Sequence, residues 1–320
     1  MEKQVLISFI IPVYNIPTNM LYDCLNSIIN LSLRRFEREI IIIDDGSDIS
    51  QIKMLDKYLD DIIYIRQSNG GLGSARNRGL LNATGQYIQF IDADDTLICN
   101  QYEHCLDILR FSLPDMVLFD FCRKRNSQKV YNDKTAISGR ELMHHNNIKA
   151  TAWGYVFKKT ILGNLKFTTG IFHEDEEFTP LLILRAEKII QTDAEAYYYR
   201  KRPDSITTSK KTRDTIKRIN DFKGIIIRLY QTTAVIPGID RLALLRRVHQ
   251  LTMDFIYKVI VETKNEHYLN RQLNDLQKNG LYPLPNRDYT IKYKLFRRLA
   301  NTRSGLALLM RTLPLIKKER

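Results

Sequence analysis

An open, mostly parallel α/β sheet covered on both faces is the fold that the first hundred residues predict. Three observations carry that expectation. Four runs of strand length, Leu6–Val13, Glu39–Asp44, Ile62–Ile65 and Gln86–Ile91, are apolar along most of their length instead of alternating. Helical segments separate them: Thr18–Leu31, with Leu21, Leu25, Ile28 and Ile29 at helical spacing, then Ile52–Leu59, then a glycine-opened stretch over Gly73–Asn82. Three of the four strands end in polar, ligand-type side chains, and open α/β sheets bind ligands beyond the carboxyl ends of their strands.

From Gln101 the alternation changes. A helix to Phe111, a strand at Met116–Phe121, a helix at Gly139–His145, a strand around Trp153–Phe157, a helix at Glu176–Ala186 and a strand at Ile189–Tyr199 read as an α+β continuation of the same domain. No Gly/Ser- or Pro-rich linker interrupts residues 1–210. Helices at Thr215–Tyr230, Asp240–Thr263 and His267–Lys278 follow. The expected organisation is one domain over 1–212, divided into halves at residue 100, then a helical extension over 213–286 and a distinct tail over 287–320.

Composition narrows the classes. Apolar residues at 44% and charged residues at 27% exclude a disordered chain and a membrane bundle. No apolar run approaches the roughly 18–20 residues of a spanning helix, and the N-terminus reads as a buried strand, not a secretory leader. Cys24, Cys99, Cys105 and Cys122 lack CxxC pairing and regularly spaced His partners, which argues against a zinc site or disulfide framework and fits a reducing cytoplasm. Forty-nine Lys and Arg against thirty-six Asp and Glu give +13, so an anionic partner is expected.

That excess is concentrated in the tail. From Arg287 onward ten basic residues face only Asp288 and Glu319, and apolar residues recur at Ile291, Leu295, Leu299, Leu306, Leu309 and Leu313. Such a basic amphipathic helix lies on an anionic membrane surface or packs on the body with its charges in water; periodicity alone leaves both open. With no nucleic-acid module elsewhere, charge alone does not make the chain a nucleic-acid binder.

The strand ends carry the chemistry. The first ends in Pro12-Val-Tyr14-Asn15, the second in Asp44-Asp45-Gly46-Ser47, the fourth in Asp92-Ala93-Asp94-Asp95. Carboxylates this crowded ionise comfortably only beside a cation, and hard oxygens suit Mg²⁺ or Mn²⁺ shared with substrate phosphates. The alternative is Asx turns that merely cap the strands, which serves one cluster better than two. Between them, Gln67–Gly79 contains Gly70, Gly71 and Gly73. The dinucleotide fingerprint is weak there, because Arg76 stands where the third glycine belongs and the loop follows the third strand, not the first. Either the glycines let the backbone approach a ligand while Arg76 and Asn77 face the acidic edge, or they only form a turn and helix start.

Ser8–Asn15, Ile43–Ser47, Asn69–Asn77 and Ile91–Asp95 together, in order and spacing, resemble the family 2 glycosyltransferases of the GT-A fold, over roughly residues 5–210. The likeness is to bacterial enzymes of surface-polysaccharide synthesis. It implies a Rossmann-like nucleotide-sugar half over 1–100, an α+β acceptor half over 101–212, and the C-terminal helical region beyond. It also implies that Pro12, Tyr14, Asn15, Asp44, Asp45, Gly71, Arg76, Asp92 and Ala93 serve the nucleotide sugar, with Asp92 on the ribose and Asp94, helped by Asp92, on Mn²⁺ or Mg²⁺. Asp95 would support them.

Inverting transfer needs a base on the acceptor side. Phe172-His-Glu-Asp-Glu-Glu-Phe178 resembles the family's Glu-Asp motif, which makes Asp175 the base and Glu174 its neighbour; the alternative is acid at a helix N-terminus, favourable to the dipole. His173 reads as a bystander. Trp153 stands in a segment that resembles the family's donor-sugar region or packs in the core. Tyr155 occupies the place where many relatives carry Lys. Arg200, Arg202 and Ser205 lie in a loop resembling one that closes over the diphosphate, or form a solvated basic loop.

The function expected is inverting, metal-dependent transfer from a nucleotide sugar, UDP-linked, to a glycan or lipid-linked glycan, in the cytoplasm or peripherally on the inner face of the plasma membrane. A nucleotidyltransferase would carry a phosphate-gripping loop and lysine directly after the first strand, where Pro12-Val-Tyr-Asn stands instead. A non-catalytic nucleotide-sugar or glycan-binding module would not need Asp92, Asp94 and Asp175 together.

Overall fold

The computed structural model describes residues 5–123, 131–201 and 212–316. Contacts divide the chain into two units, Met1–Gly139 with Lys149–Ser205, and Arg140–Ile148 with Ile206–Arg320.

The first unit is built on one eight-stranded sheet. In its parallel part β1 (Ile7–Val13), every residue of which is buried, is flanked by β2 (Arg38–Asp44) and β4 (Tyr87–Phe90). Burial on both faces is why this run reads as continuously apolar. The half-exposed β3 (Ile62–Arg66) pairs in parallel with β2 and forms one edge. Beyond β4 come β7 (Tyr155–Lys158), antiparallel to both β4 and β6 (Met116–Cys122), then β8 (Ile189–Tyr198), parallel to β6. The two-residue β5 (Thr96–Leu97) pairs antiparallel to the end of β8, giving the order β3-β2-β1-β4-β7-β6-β8-β5. Strand order reverses between β1 and β4, the place where doubly wound sheets open a ligand crevice.

Helix α1 (Thr18–Ile29) buries Leu21, Cys24, Leu25 and Ile28 in the cluster that holds Ile7, Phe9, Ile11 and Val13. Ile10 points the other way, to α2 (Leu72–Asn82). A Cβ at Gly79 would stand 2.3 Å from an Ile10 methyl, so glycine sets how closely α2 lies on β1. Helices α3 (Cys99–Ser112) and α5 (Glu174–Ile183) complete this unit. The segment expected as a helix at Ile52–Leu59 is a 3₁₀ turn over Ile52–Tyr58. None of the four cysteines is in a disulfide, and three of them are buried.

The second unit is helical. α4 (Gly139–His145) leads to the segment through Ile148, which groups here because α7 (Gly238–Thr263) grips it: Arg246 donates to the His144 carbonyl at 3.0 Å and to Asn147 at 3.1 Å, and Arg247 donates to the Ile148 carbonyl at 3.2 Å. α6 (Thr212–Thr232) packs on α7 through Phe222 and Phe255, and α8 (Glu266–Lys278) is capped by Asn265, whose side chain accepts from the Tyr268 amide at 2.8 Å. The tail forms two helices where the sequence pattern suits one, α9 (Ile291–Ala300) and α10 (Arg303–Ile316). The break is fixed by Asn301, which exchanges hydrogen bonds with the Leu284 backbone at 2.8 and 2.9 Å. Among the described residues no helix is long and apolar enough to cross a membrane.

Candidate active site

Because β1, β2 and β4 run parallel, their carboxyl ends share one edge of the sheet. After β1, Tyr14 is 48% exposed, while Pro12 is buried within the strand. Asn15, at φ 48°, ties this loop to the next: its amide donates to Ser47 Oγ at 3.0 Å, its Nδ2 to Asp48 at 3.1 Å, and its Oδ1 accepts from the Asp48 amide at 2.9 Å.

The Asp-Asp pair after β2 is turned inward. Asp44 is fully buried and accepts from the Ser47 amide at 2.8 Å and the Tyr64 hydroxyl at 2.5 Å, with Arg66 Nε at 3.6 Å. Asp45 accepts from Gln67 Nε2 at 2.7 Å and from the amides of Gly70 and Gly71 at 2.9 and 2.8 Å. Both carboxylates are engaged by the chain itself, Asp44 closing its own turn and Asp45 shaping the glycine loop from beneath.

That loop differs from a phosphate cradle, since two of its amides already serve Asp45. Gly71 has φ 83°, which glycine tolerates, and open space where a Cβ would lie. Gly73 permits a close approach to the chain itself: a Cβ there would sit 2.9 Å from the Thr168 carbonyl and 3.3 Å from Glu174 Cγ. Asn77 faces the same segment and not the acidic edge, exchanging hydrogen bonds with the Phe167 backbone at 2.8 Å in both directions.

Arg76 is the hub. Its guanidinium, almost wholly buried, donates to Glu174 at 2.6 Å and to Asp92 at 3.0 Å, and lies over the rings of Phe90 and Phe167. Burial opposes its charge, but Asp92, Glu174 and Asp175 outweigh that and hold it above its ordinary pKa. One side chain on α2 thus joins the end of β4 to the start of α5, two acidic motifs about eighty residues apart.

At α5, burial raises the Glu174 carboxyl above its ordinary value, against the pull of Arg76. Asp175 is partly exposed as a residue, yet burial of its carboxyl, then the charges of Glu174 and Glu176, push it up to about 8. His173 precedes them in the left-handed region, at φ 63°, and gives the helix no side-chain cap.

In the β4 motif the carboxylates divide. Asp92 and Asp94 are partly exposed, with Ala93 buried between them. Asp95 is buried and accepts from the Tyr197 hydroxyl at 2.8 Å and the Arg200 amide at 2.7 Å. The same Tyr197 hydroxyl accepts from the Asp92 amide at 3.1 Å. The Arg200 guanidinium turns to Asp23, at 2.9 Å. Trp153 is 8% exposed and stacks on Tyr197 with centroids 4.4 Å apart, so its indole packs in the core under the motif. Tyr155 is buried against Thr179 at 2.9 Å. Arg202 and Ser205 lie outside the described residues.

Among the described residues no group of three or more His, Cys, Asp or Glu side chains is arranged to hold a metal alone. Asp92 and Asp94 offer hard oxygens at an accessible strand end, a donor set that suits a divalent cation completing its shell with phosphate oxygens. Sequence reasoning missed Gln67, Tyr64 and Tyr197. Their polar ends meet partners 20–105 residues away, which no local spacing announces.

Comparison with known proteins identifies the family and the fold. The family model for glycosyl transferase family 2 matches residues 8–176, more than half of the chain. Glycosyltransferase GlyA of Streptococcus pneumoniae is 31% identical over 222 residues, 63% of this chain and 31% of that protein. The poly(ribitol-phosphate) beta-glucosyltransferase of Bacillus spizizenii is 28% identical over 219 residues, 61% of this chain and 32% of that one. The chain therefore spans about a third of the length of these two relatives. Among solved structures, S. aureus TarS 1-349 in complex with UDP-GlcNAc superimposes with a TM-score of 0.67 over 98% of this chain and 92% of that one, at 17% identity. That likeness speaks for the fold, the matched model for the lineage: this chain belongs to glycosyl transferase family 2 and has the GT-A fold.

Proposed function

We propose that the chain transfers a sugar from a nucleotide donor, UDP-linked, to a hydroxyl of a glycan or lipid-linked glycan, with inversion, in surface-polysaccharide synthesis on the cytoplasmic side. The observation that carries this reading is the Arg76 fork, which holds Asp92 of the donor edge and Glu174, the neighbour of Asp175, on one guanidinium. A donor site and a proton acceptor in one crevice are what single displacement requires.

The exposed Tyr14 ring suits a nucleobase and Asp92 the ribose. Asp94, with Asp92, would hold Mn²⁺ or Mg²⁺, which supplies positive charge against the leaving diphosphate when bound. Asp175 takes the acceptor's proton as its oxygen bonds to the anomeric carbon and the bond to the nucleoside diphosphate breaks. Arg76 keeps a counter-charge beside the acids, so the carboxylate form of Asp175 is reachable near neutral pH. The UDP-GlcNAc in the TarS complex supports the donor class for a protein of this fold. With Asp44 and Asp45 engaged internally, they shape the nucleotide edge through their loops.

A donor screen with UDP-, GDP- and dTDP-sugars, with and without Mn²⁺, tests the reading. Asp94→Ala is expected to lose metal-dependent turnover. Asp175→Asn is expected to keep donor binding while transfer falls by roughly 10²–10⁴-fold. Wild-type transfer by Asp175→Asn would sink the assignment of the base.

A further inference from the structure

The C-terminal helices bury one stripe and present another. Of the apolar positions that the tail's periodicity groups together, Leu309 is buried and Leu299, Leu306 and Leu313 are half-buried, whereas Ile291 is 79% and Leu295 56% exposed. On α10 the exposed apolar residues are Leu308 at 50% and Leu315 at 65%, which that pattern did not select. Ile291, Leu295 and Arg298 follow at i, i+4 and i+7, one face of α9; Leu308, Arg311 and Leu315 line one face of α10 in the same manner. Arg298 and Arg311 are exposed, as are Lys292 and Arg303. Over residues 287–316 seven Lys and Arg stand against Asp288 alone.

The chain itself holds the helices that carry these faces. Thr290 caps α9, accepting from the Tyr293 amide at 3.1 Å, Asn301 fixes the break, and the inner stripes pack on α7. Each face sets two large exposed aliphatic side chains on the same side as an exposed arginine, and that pairing matches one kind of partner in both respects. A nucleic acid would use the cations and leave the aliphatics exposed; an apolar protein groove would do the reverse. At an anionic bilayer the aliphatics enter the acyl boundary while Arg and Lys reach the phosphates.

We propose that the outer faces of α9 and α10 form a docking surface for an anionic lipid membrane. It deepens the reading of a lipid-linked acceptor and rests on that reading for its purpose, while its chemistry stands on the exposed residues alone.

The test is co-sedimentation of the full chain with vesicles of pure phosphatidylcholine and of equal parts phosphatidylcholine and phosphatidylglycerol. Binding is expected only to the anionic vesicles and is expected to weaken with salt. The combined variant Ile291→Ser, Leu295→Ser, Leu308→Ser and Leu315→Ser should lose roughly tenfold or more of that partitioning, with circular dichroism and donor hydrolysis unchanged. Arg298→Gln with Arg311→Gln should lose several-fold by itself. Failure of the wild type to bind anionic vesicles, or undiminished binding by the serine variant, overturns the proposal. So does a wild-type dimer that the serine variant makes monomeric while neither binds vesicles. The vesicles contain no acceptor, so a failed transfer assay counts against the enzymatic reading and leaves this one standing.

Discussion

Arg76 and the arginines of the tail occupy opposite surroundings. Arg76 is enclosed, forked onto two carboxylates and covered by aromatic rings; Arg298 and Arg311 stand in solvent between aliphatic side chains. Inside the sheet unit a charge is tolerated only because its partners come from distant segments, so it acts as a fastener between motifs. At the tail the charges cost little to expose and are available to a partner. The contrast teaches that the same residue type carries architecture in one region and recognition in the other.

Removing the fastener is the strongest way to break this comparison. Arg76→Ala leaves Asp92 and Glu174 crowded without a counter-charge and is expected to cost about 3–5 kcal/mol in a urea titration. Arg76→Lys, lacking the planar fork, should recover only part of it.

Next comes pH. The Asp175 carboxyl, raised to about 8, is protonated below that value, so kcat/KM should fall as pH drops, by about tenfold per unit. Glu174→Gln removes one of the charges that raises it and should move this acid limb to lower pH. A limb that stays in place would show that another group sets the profile.

The smaller effects lie in the tail. Thr290→Ala removes the α9 cap and should cost about 1 kcal/mol, seen as a lower melting temperature. Arg311→Gln should change stability by less than about 0.5 kcal/mol; a larger loss would mean that this arginine, too, has a structural partner.

The sheet unit was the more legible region. Its central strands are buried on both faces, so β1, β2 and β4 declare themselves as mostly apolar runs, and the motifs that follow them lie where parallel strands must end. What escaped was anything decided by distance in the chain. Asp44 and Asp45 read as ligand groups from their place after β2, but spacing does not show that Tyr64, Gln67 and the glycine amides also donate to them. Trp153 sits in a donor-like segment, but its ring is taken by Tyr197. In the tail, periodicity gave a helix yet not its break, because Asn301 stops it by bonding to Leu284, which no repeat encodes. Nor could periodicity assign the two apolar stripes to inside and outside.

One consequence of the Asp45 clamp reaches into binding. A side chain rooted at the end of β2 fixes the Gly70–Gly71 rim from below, so that rim inherits the stiffness of the sheet. A ligand settling against it has less loop to organise, and each backbone residue already held spares on the order of 1–2 kcal/mol of ordering cost. Asp45→Asn, which swaps an all-acceptor group for one that also donates, would unsettle that preorganised rim while leaving Asp94 and Asp175 in place.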